Sequence, residues 1–599
     1  MPRPEELGFK ASEVISEVLG VVEKYESTYG NRLEAVNRYW DLYKGNRRKP
    51  RVLYGEVPFE GVQNSFVHET PRAVDSLRTT RFRLIMSQDP PFEPISLDGL
   101  TSEEELYAFS GFYSTQLEKV KYPRYLMKCL TSLELIGNSP VEMPLVDVPL
   151  GMPGASASFT GFVPRPINQI FFSSNAMSFD GASAKGTMDV VSDAFIARMK
   201  AEDVTQEAWL HEGIDDALNR KNYGRISDTV KRRLMDSGYV DFNGLHELIL
   251  YYGPLEKQNN YENWCVGILD RKYLVRFHRH FIGLSNILFP FTNEIEQEAW
   301  SLGVGAKGEK LQYMLNANRD RIFNVILFAL FSMMKMSRYA GIRQSDLRIK
   351  PFNLIPMDDT NGLQQLTVDV NAANYGIKME EMLLNEFQSL TGSFKNLQAL
   401  PTDVTATEAG YIMDSGMRKV AVDTEIIADI VLRDYLYYSH VQNRMFADKP
   451  YYYSMVGTNG KSQPVRMMPD QLQKELDFRI KISTDKDFRP QMSRRLIEFL
   501  QTITSVKQML PPDLQMNLKP YIEMFTRLAG IDPRRVFPPM EPGQAMQNLA
   551  IATSGMQRPP LSDIQEATIR GIESNPERFQ QQRETTNITR QGGILSGGQ

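Results

Sequence analysis

The stretch WSLGVGAKGEKLQYMLNANRDRIFNVILFALF, Trp300 to Phe331, decides how the rest of the chain is read. Its polar and apolar residues alternate at helical steps, and its end enters the run Val325 to Met334, VILFALFSMM, which is apolar all round. A helix with no solvent face must be buried on most sides. The pattern predicts one helix, roughly Leu311 to Tyr339. The apolar run is only about half of the roughly 20 residues that a membrane helix needs, so no membrane span is expected. Residues 342–373 then bring Pro351, Pro356 and Gly362 with short strand-like pieces, and helix returns from about Ile377 to Leu390. The order is helix, compact insert, helix.

Working outward toward the N-terminus, Val14, Ile15, Val18, Val22 and Tyr25 recur at helical spacing within residues 11–29, and a second helix follows toward Tyr43. Helix resumes near Pro71. Thr101 and Ser102 stand before Glu104 and Glu105, a capping-box arrangement that starts a helix running to about Leu135. From Gly137 to Phe291 short strand-like runs alternate with Gly, Pro and Asn, with helix near Ala194 to Asn219. Within them His246–Tyr252, Asn263–Leu269 and Lys272–His278 carry the β-branched, Leu and aromatic residues of a strand meander.

Toward the C-terminus, Thr405 with Glu408 opens a helix of about 40 residues on which Ile427, Ile430, Val431, Tyr435, Tyr438, Val441 and Met445 repeat every three or four positions. Phe478, Ile480 and Ile482 alternate with polar neighbours as a half-buried strand, and Met492, Leu496, Leu500 and Ile503 mark a further helix. Beyond Ile531 the chain is rich in Pro, Gln and Gly, as an extended arm or disordered tail would be. The fold class is therefore α+β, mostly helical.

Lys and Arg number 68 against 73 Asp and Glu, a formal net charge of -5, so no overall basic field holds the molecule on nucleic acid. Two cysteines, Cys129 and Cys265, support neither a disulfide framework nor a cysteine-rich zinc site and suit a reducing place of synthesis. The opening MPRPEELGFK has no basic start and apolar core of a signal peptide.

Four patterns invite an enzyme reading. Gly303, Gly305 and Gly308 match G-x-G-x-x-G, but the preceding NEIEQEAWSL is not a buried strand, which favours a flexible lead-in to the helix. GTNGKS, Gly457 to Ser462, lacks the first glycine of a phosphate loop and reads as a hairpin turn. His278 and His280 would share one strand face without a third ligand at telling spacing. His211, Glu212, Asp215 and Asp216 form a charged cluster that suits a solvated helix face better than acid-base chemistry.

Several segments, in this order, resemble the portal proteins of tailed bacteriophages. RYWDLYKGN (Arg38 to Asn46) and NSFVHETPRAVDSLRTTRFRLIMSQDPPFEP (Asn64 to Pro94) are similar to that family's N-terminal wing, and HELILYYG with NWCVGILDRKYLVRF to its strand-rich part. Trp300 to Phe331 resembles the lead into the first stem helix, FNLIPMDDTNGLQQL (Phe352 to Leu366) the clip, and TATEAGYIMDSG (Thr405 to Gly416) the start of the long wing helix. The order of the segments carries the likeness, over roughly residues 35–510.

The resemblance implies a wing over 1–308, a first stem helix over 309–341, a clip over 342–373 and a second stem helix over 374–393. A tunnel loop over 394–404, a long wing helix with its return strand over 405–484, a crown over 485–530 and a tail over 531–599 would follow. It implies a homo-oligomeric ring of roughly twelve copies at one capsid vertex of the virion, made in the host cytoplasm. Double-stranded DNA would pass through weakly and without sequence preference. Terminase, then adaptor and tail proteins, and the major capsid or scaffolding protein would be its partners. No catalytic residue, cofactor or metal is implied. The stem interface would include Val325, Phe328 and Phe331, and the clip Asp358, Asp359 and Asn361. Lys335, Arg338, Arg343, Arg348 and Lys350 would serve as phosphate contacts or as inter-subunit salt bridges. Lys395, Asn396 and Gln398 would lie on the tunnel loop, unless 394–404 is an ordinary connector.

About twelve helices spaced by roughly 10 Å enclose a lumen of about 28 Å, wider than a duplex. A ring carrying about -60 in total would not grip DNA that has to slide. Another head-tail adaptor or minor capsid protein, and a nucleotide-dependent enzyme, are the competing readings.

Overall fold

The computed structural model describes residues 8–46, 65–88, 90–99, 101–149, 156–203, 209–219, 231, 244–256, 260–280, 285–293, 295–296, 298–330, 334–336, 363–365, 371–392, 420–447, 450–456 and 462–481, all within one compact unit. The architecture is mixed α+β, with several small antiparallel sheets set among helices.

Helix α1 spans Ala11–Lys44 as one piece, where the sequence reading expected two. It runs on through Gly30 because Val14, Val18, Val22 and Tyr25 before that glycine and Val36 after it are buried in the same core. Gly45, in the left-handed region at φ 72°, ends it by donating its N–H to Leu42 and Asp41 carbonyls. Helix α2 covers Glu69–Ile85.

The capping box forms as expected: the Glu105 amide donates to the Ser102 hydroxyl, and the Ser102 amide donates to the Glu105 carboxylate. The helix it starts does not reach Leu135. It splits into α3 (Glu103–Lys119) and α4 (Tyr122–Ile136), because Pro123 inside a continuous helix would lack an N–H and collide with the preceding turn. Lys121 turns the corner at φ 57°.

A five-stranded antiparallel meander follows, formed by β6 (Ile170–Phe172), β7 (Lys185–Ser192), β8 (Leu245–Leu255), β9 (Asn260–Leu269) and β10 (Tyr273–Arg279) in sequential order. Side chains alternate between its faces. Ile249, Tyr251, Trp264, Val266, Ile268 and Phe277 join the large core around α1. Leu248, Leu250, Leu269 and Val275 face Ile196 and Ile214 of α5 (Asp193–Glu202) and α6 (His211–Asn219), which form the insertion between β7 and β8. With both faces covered, these strands are the near-continuous apolar runs seen in the sequence.

Helix α7 (Val304–Leu330) and helix α8 (Asn371–Thr391) close the first core. A second core gathers α3, α4 and the chain after residue 420. There 420–428 is helical, Asp429–Asp434 is a π-helical turn, and α9 continues over Tyr435–Phe446. The π turn shifts backbone pairing, and the Tyr122 hydroxyl donates to the Val431 carbonyl at 2.9 Å. Strand β1 (Phe92–Ser96) pairs antiparallel with β16 (Leu476–Ile480), where Phe478 is buried and Ile480 half-buried, while β14 (Tyr451–Val456) pairs with β15 (Ser462–Met467). The expected helix near Met492 and the arm beyond Ile531 lie outside the described residues.

Candidate assembly site

Helices α7 and α8 run antiparallel and hold each other at successive levels. Gly308 lies against the Phe387 ring, Arg319 forms a two-pronged ion pair with Glu380, and the Asn318 amide donates to the Gly376 carbonyl at 2.8 Å. The three glycines of the G-x-G-x-x-G pattern are packing positions, which corrects their reading as a flexible lead-in. A Cβ on Gly303 would stand 2.5 Å from the Gly137 nitrogen, and one on Gly305 2.6 Å from the Tyr39 ring and 2.7 Å from the Leu135 carbonyl oxygen. No room for a phosphate remains between backbones in such contact.

A polar ladder on α7 ties this hairpin to the body. Gln312, Asn316 and Asp320, one per turn and each under 10% exposed, meet the chain entering α2. The Thr70 amide and hydroxyl donate to Gln312, the Val67 amide to Asn316, and the Ser65 amide and hydroxyl to Asp320. Gln312 in turn donates to the Val67 carbonyl. These side chains substitute for a neighbouring strand, satisfying buried backbone groups that water cannot reach. The four-residue polar period was present in LQYMLNANRD, but sequence reading passed over it in favour of the apolar positions.

Both helices also carry exposed apolar side chains. Tyr313, Met314, Phe323 and Ile326 of α7 are exposed, with Phe323 at 40%, and so are Tyr375, Met379 and Met382 of α8, with Tyr375 and Met382 at 72%. Val325 is half-buried. Among the described residues of the apolar run, Leu327 is half-buried as well, whereas Ile326 and Ala329 are exposed.

The helix expected over 309–341 instead occupies Val304–Leu330, and Met334–Met336 is a strand, β12, paired antiparallel with β13, Leu363–Gln365. Backbone pairing to a strand is incompatible with helix at those positions. The second helix begins at Asn371, before the expected 374. Lys335 sits on β12 opposite Gln364. Phe328 belongs to α7, but its side chain lies outside what is described. So do Phe331, Arg338, Arg343, Arg348, Lys350, Asp358, Asp359, Asn361, Lys395, Asn396 and Gln398, which the structure therefore does not bring together or separate.

The other enzyme-like patterns resolve into packing. His278 donates from Nδ1 to the Arg279 carbonyl at 2.7 Å and accepts at Nε2 from Arg276, and burial pushes its pKa down to about 4. Both ring nitrogens are occupied. His280 places its ring edge-on to Tyr252 at 5.5 Å. On α6, Lys200 pairs with Asp215 while Ile214 and Ala217 enter the core, so the charged cluster is the outer face of an amphipathic helix. Residues 457–461 of GTNGKS lie outside the described residues, and the strands on either side, β14 and β15, pair antiparallel. Among the described residues no group of three or more His, Cys, Asp or Glu could hold a metal ion, and no helix is long and apolar enough to cross a membrane.

No protein-family model matches this chain, and no curated protein does. The α7–α8 hairpin combines buried polar bonds to the start of α2 with exposed large apolar side chains on both helices.

Proposed function

We propose that the chain is a portal-type subunit that assembles into a ring-shaped channel for double-stranded DNA at a capsid vertex. One observation carries the reading: both helices of the antiparallel hairpin turn large apolar side chains outward, around Phe323 on α7 and Met382 on α8. An isolated hairpin gains nothing from that exposure, whereas a ring of identical subunits buries it between copies. The paired strands β12 and β13 lie between the two helices in sequence, and β13 falls within 342–373, where the resemblance puts a clip for terminase and later an adaptor. The channel itself would hydrolyse nothing.

The test is assembly. Mass photometry and negative-stain images of the purified chain should show closed rings. Joint Phe323→Glu and Met382→Glu substitution should shift the mass distribution to single chains without lowering their melting temperature, because both side chains are exposed in the isolated subunit. A wild-type chain that stays monomeric at micromolar concentration, or a variant whose rings persist, would overturn the reading.

A further inference from the structure

The corner between α3 and α4 concentrates positive charge in an otherwise acidic protein. Lys119, Lys121, Arg124 and Lys128 stand against Glu118 alone, a net +3 over residues 118–128 in a chain of net -5. All four cations are exposed. None makes an ion pair with a described residue, in contrast to Arg32, Arg38, Arg78, Arg81, Arg165, Arg271 and Arg319. Local geometry gathers them: Arg124 and Lys128, four residues apart, project from one face of α4, with Lys121 at its N-cap and Lys119 in the last turn of α3.

The corner is also rigid. Tyr122 beneath it is fully buried and hydrogen-bonded to Val431, Leu126 and Leu130 are buried on the inner face, and the Lys128 ammonium lies 5.5 Å from the centre of the half-buried Tyr125 ring. Cations with no ion pair among the described residues, held at fixed spacing on a stiff platform, suit a repeating array of anions, because each contact releases condensed counterions. The positive end of the α4 dipole adds to the same field.

We infer that the α3–α4 corner docks the sugar-phosphate backbone of duplex DNA, independently of sequence, at a place separate from the α7–α8 hairpin. The proposed channel function identifies the polyanion as DNA; the charge arrangement stands without it. The phosphate-rich alternative, an anionic lipid surface, calls for the apolar wedge that membrane-bound helices bring, whereas between these cations Tyr122 and Leu126 are buried and Pro123, Tyr125 and Met127 are partly buried.

The experiment measures binding of the full chain to a fluorescein-labelled duplex of mixed sequence by anisotropy, between about 50 and 200 mM salt. Lys121→Asn, Arg124→Gln and Lys128→Gln are combined, with asparagine chosen because position 121 is in the left-handed region. The variant should bind at least about tenfold more weakly at low salt, with the slope of log K against log salt shallower by about 2.7. Lys128→Arg and Arg124→Lys together should keep wild-type affinity. Unchanged affinity and slope in the neutral variant, equal losses in the charge-conserving one, or loss of binding only to phosphatidylserine vesicles would overturn the inference. Mass photometry on the same samples separates the two proposals. DNA binding that depends on the corner in a chain that forms no rings would sustain the corner and sink the channel, and rings whose DNA affinity ignores the corner would do the reverse.

Discussion

At the scale of single residues, the strongest constraint is one that no motif announced. His246, buried on β8, lies 2.6 Å from Asp270 at Nδ1 and 2.6 Å from Asp193 at Nε2. The hydrogen bond and charge of Asp270, with those of Asp193, raise its pKa above the ordinary 6.5 against the cost of burial. Asp270 and Arg271, in the three-residue connection between β9 and β10, are both at positive φ, 54° and 56°, without a glycine to ease it. Their side chains hold the turn: Asp270 accepts from His246 and the Glu247 amide, and Arg271 bridges Glu247 to Glu26 of α1. A raised folded pKa means that the bonus from charged His246 is complete below the unfolded value and fades as pH rises through the folded one. The wild-type melting temperature should therefore exceed that of His246→Gln most near pH 6, with the gap narrowing as pH increases. A gap that widens between pH 6 and 9 in thermal melts would reject the doubly paired imidazolium.

At the scale of elements, caps and breaks were legible where their signals are local. Ser102 and Glu105 form the capping box their spacing suggested, and the three strands of the meander fall within a few residues of their sequence positions. Pro123 divides the helix expected to run to about Leu135, and α1 continues through Gly30 where two helices were expected, because packing on both sides of that glycine outweighs its poor helix propensity. Glycine spacing was read as freedom where it means contact. Gly305→Ala puts a methyl group 2.6 Å from Tyr39 and 2.7 Å from the Leu135 carbonyl, so α7 must move off α1 and α4. It should cost about 1–3 kcal/mol in urea unfolding, whereas alanine at Gly30, with nothing within 4 Å, should be neutral or stabilising.

At the scale of the molecule, α4 joins the two main cores: Leu126, Leu130 and Leu133 pack in one, Leu135 and Ile136 in the other. The buried ion pair of Arg81 on α2 with Glu134 on α4, 2.6 Å apart, sits at that seam, with Asp423 at 3.8 Å. Burial raises the Glu134 pKa and Arg81 opposes it. Glu134→Gln leaves the guanidinium buried with only the more distant Asp423, and should cost about 3 kcal/mol. Since the seam belongs to both cores, tryptophan fluorescence, which reports the first through Trp264 and Trp300, should shift its midpoint together with far-ultraviolet circular dichroism. A fluorescence midpoint that stays at the wild-type value while the dichroism shifts would show that the cores unfold separately.

Local chemistry by itself determined the α+β class, the meander, the capped start of α3 and the helix, insert, helix order, because caps, period-two alternation and helical spacing act over a few residues. Only the tertiary structure decided that the glycines before α7 are contact points, that Gln312, Asn316 and Asp320 brace the start of α2, that His246 sits between two carboxylates, and that four lysines and arginines at the α3–α4 corner lack described ion-pair partners. Each joins or withholds groups far apart in the chain, such as Val67 and Asn316. Such pairings depend on how elements pack, a long-range property that the residue types at either end do not encode alone.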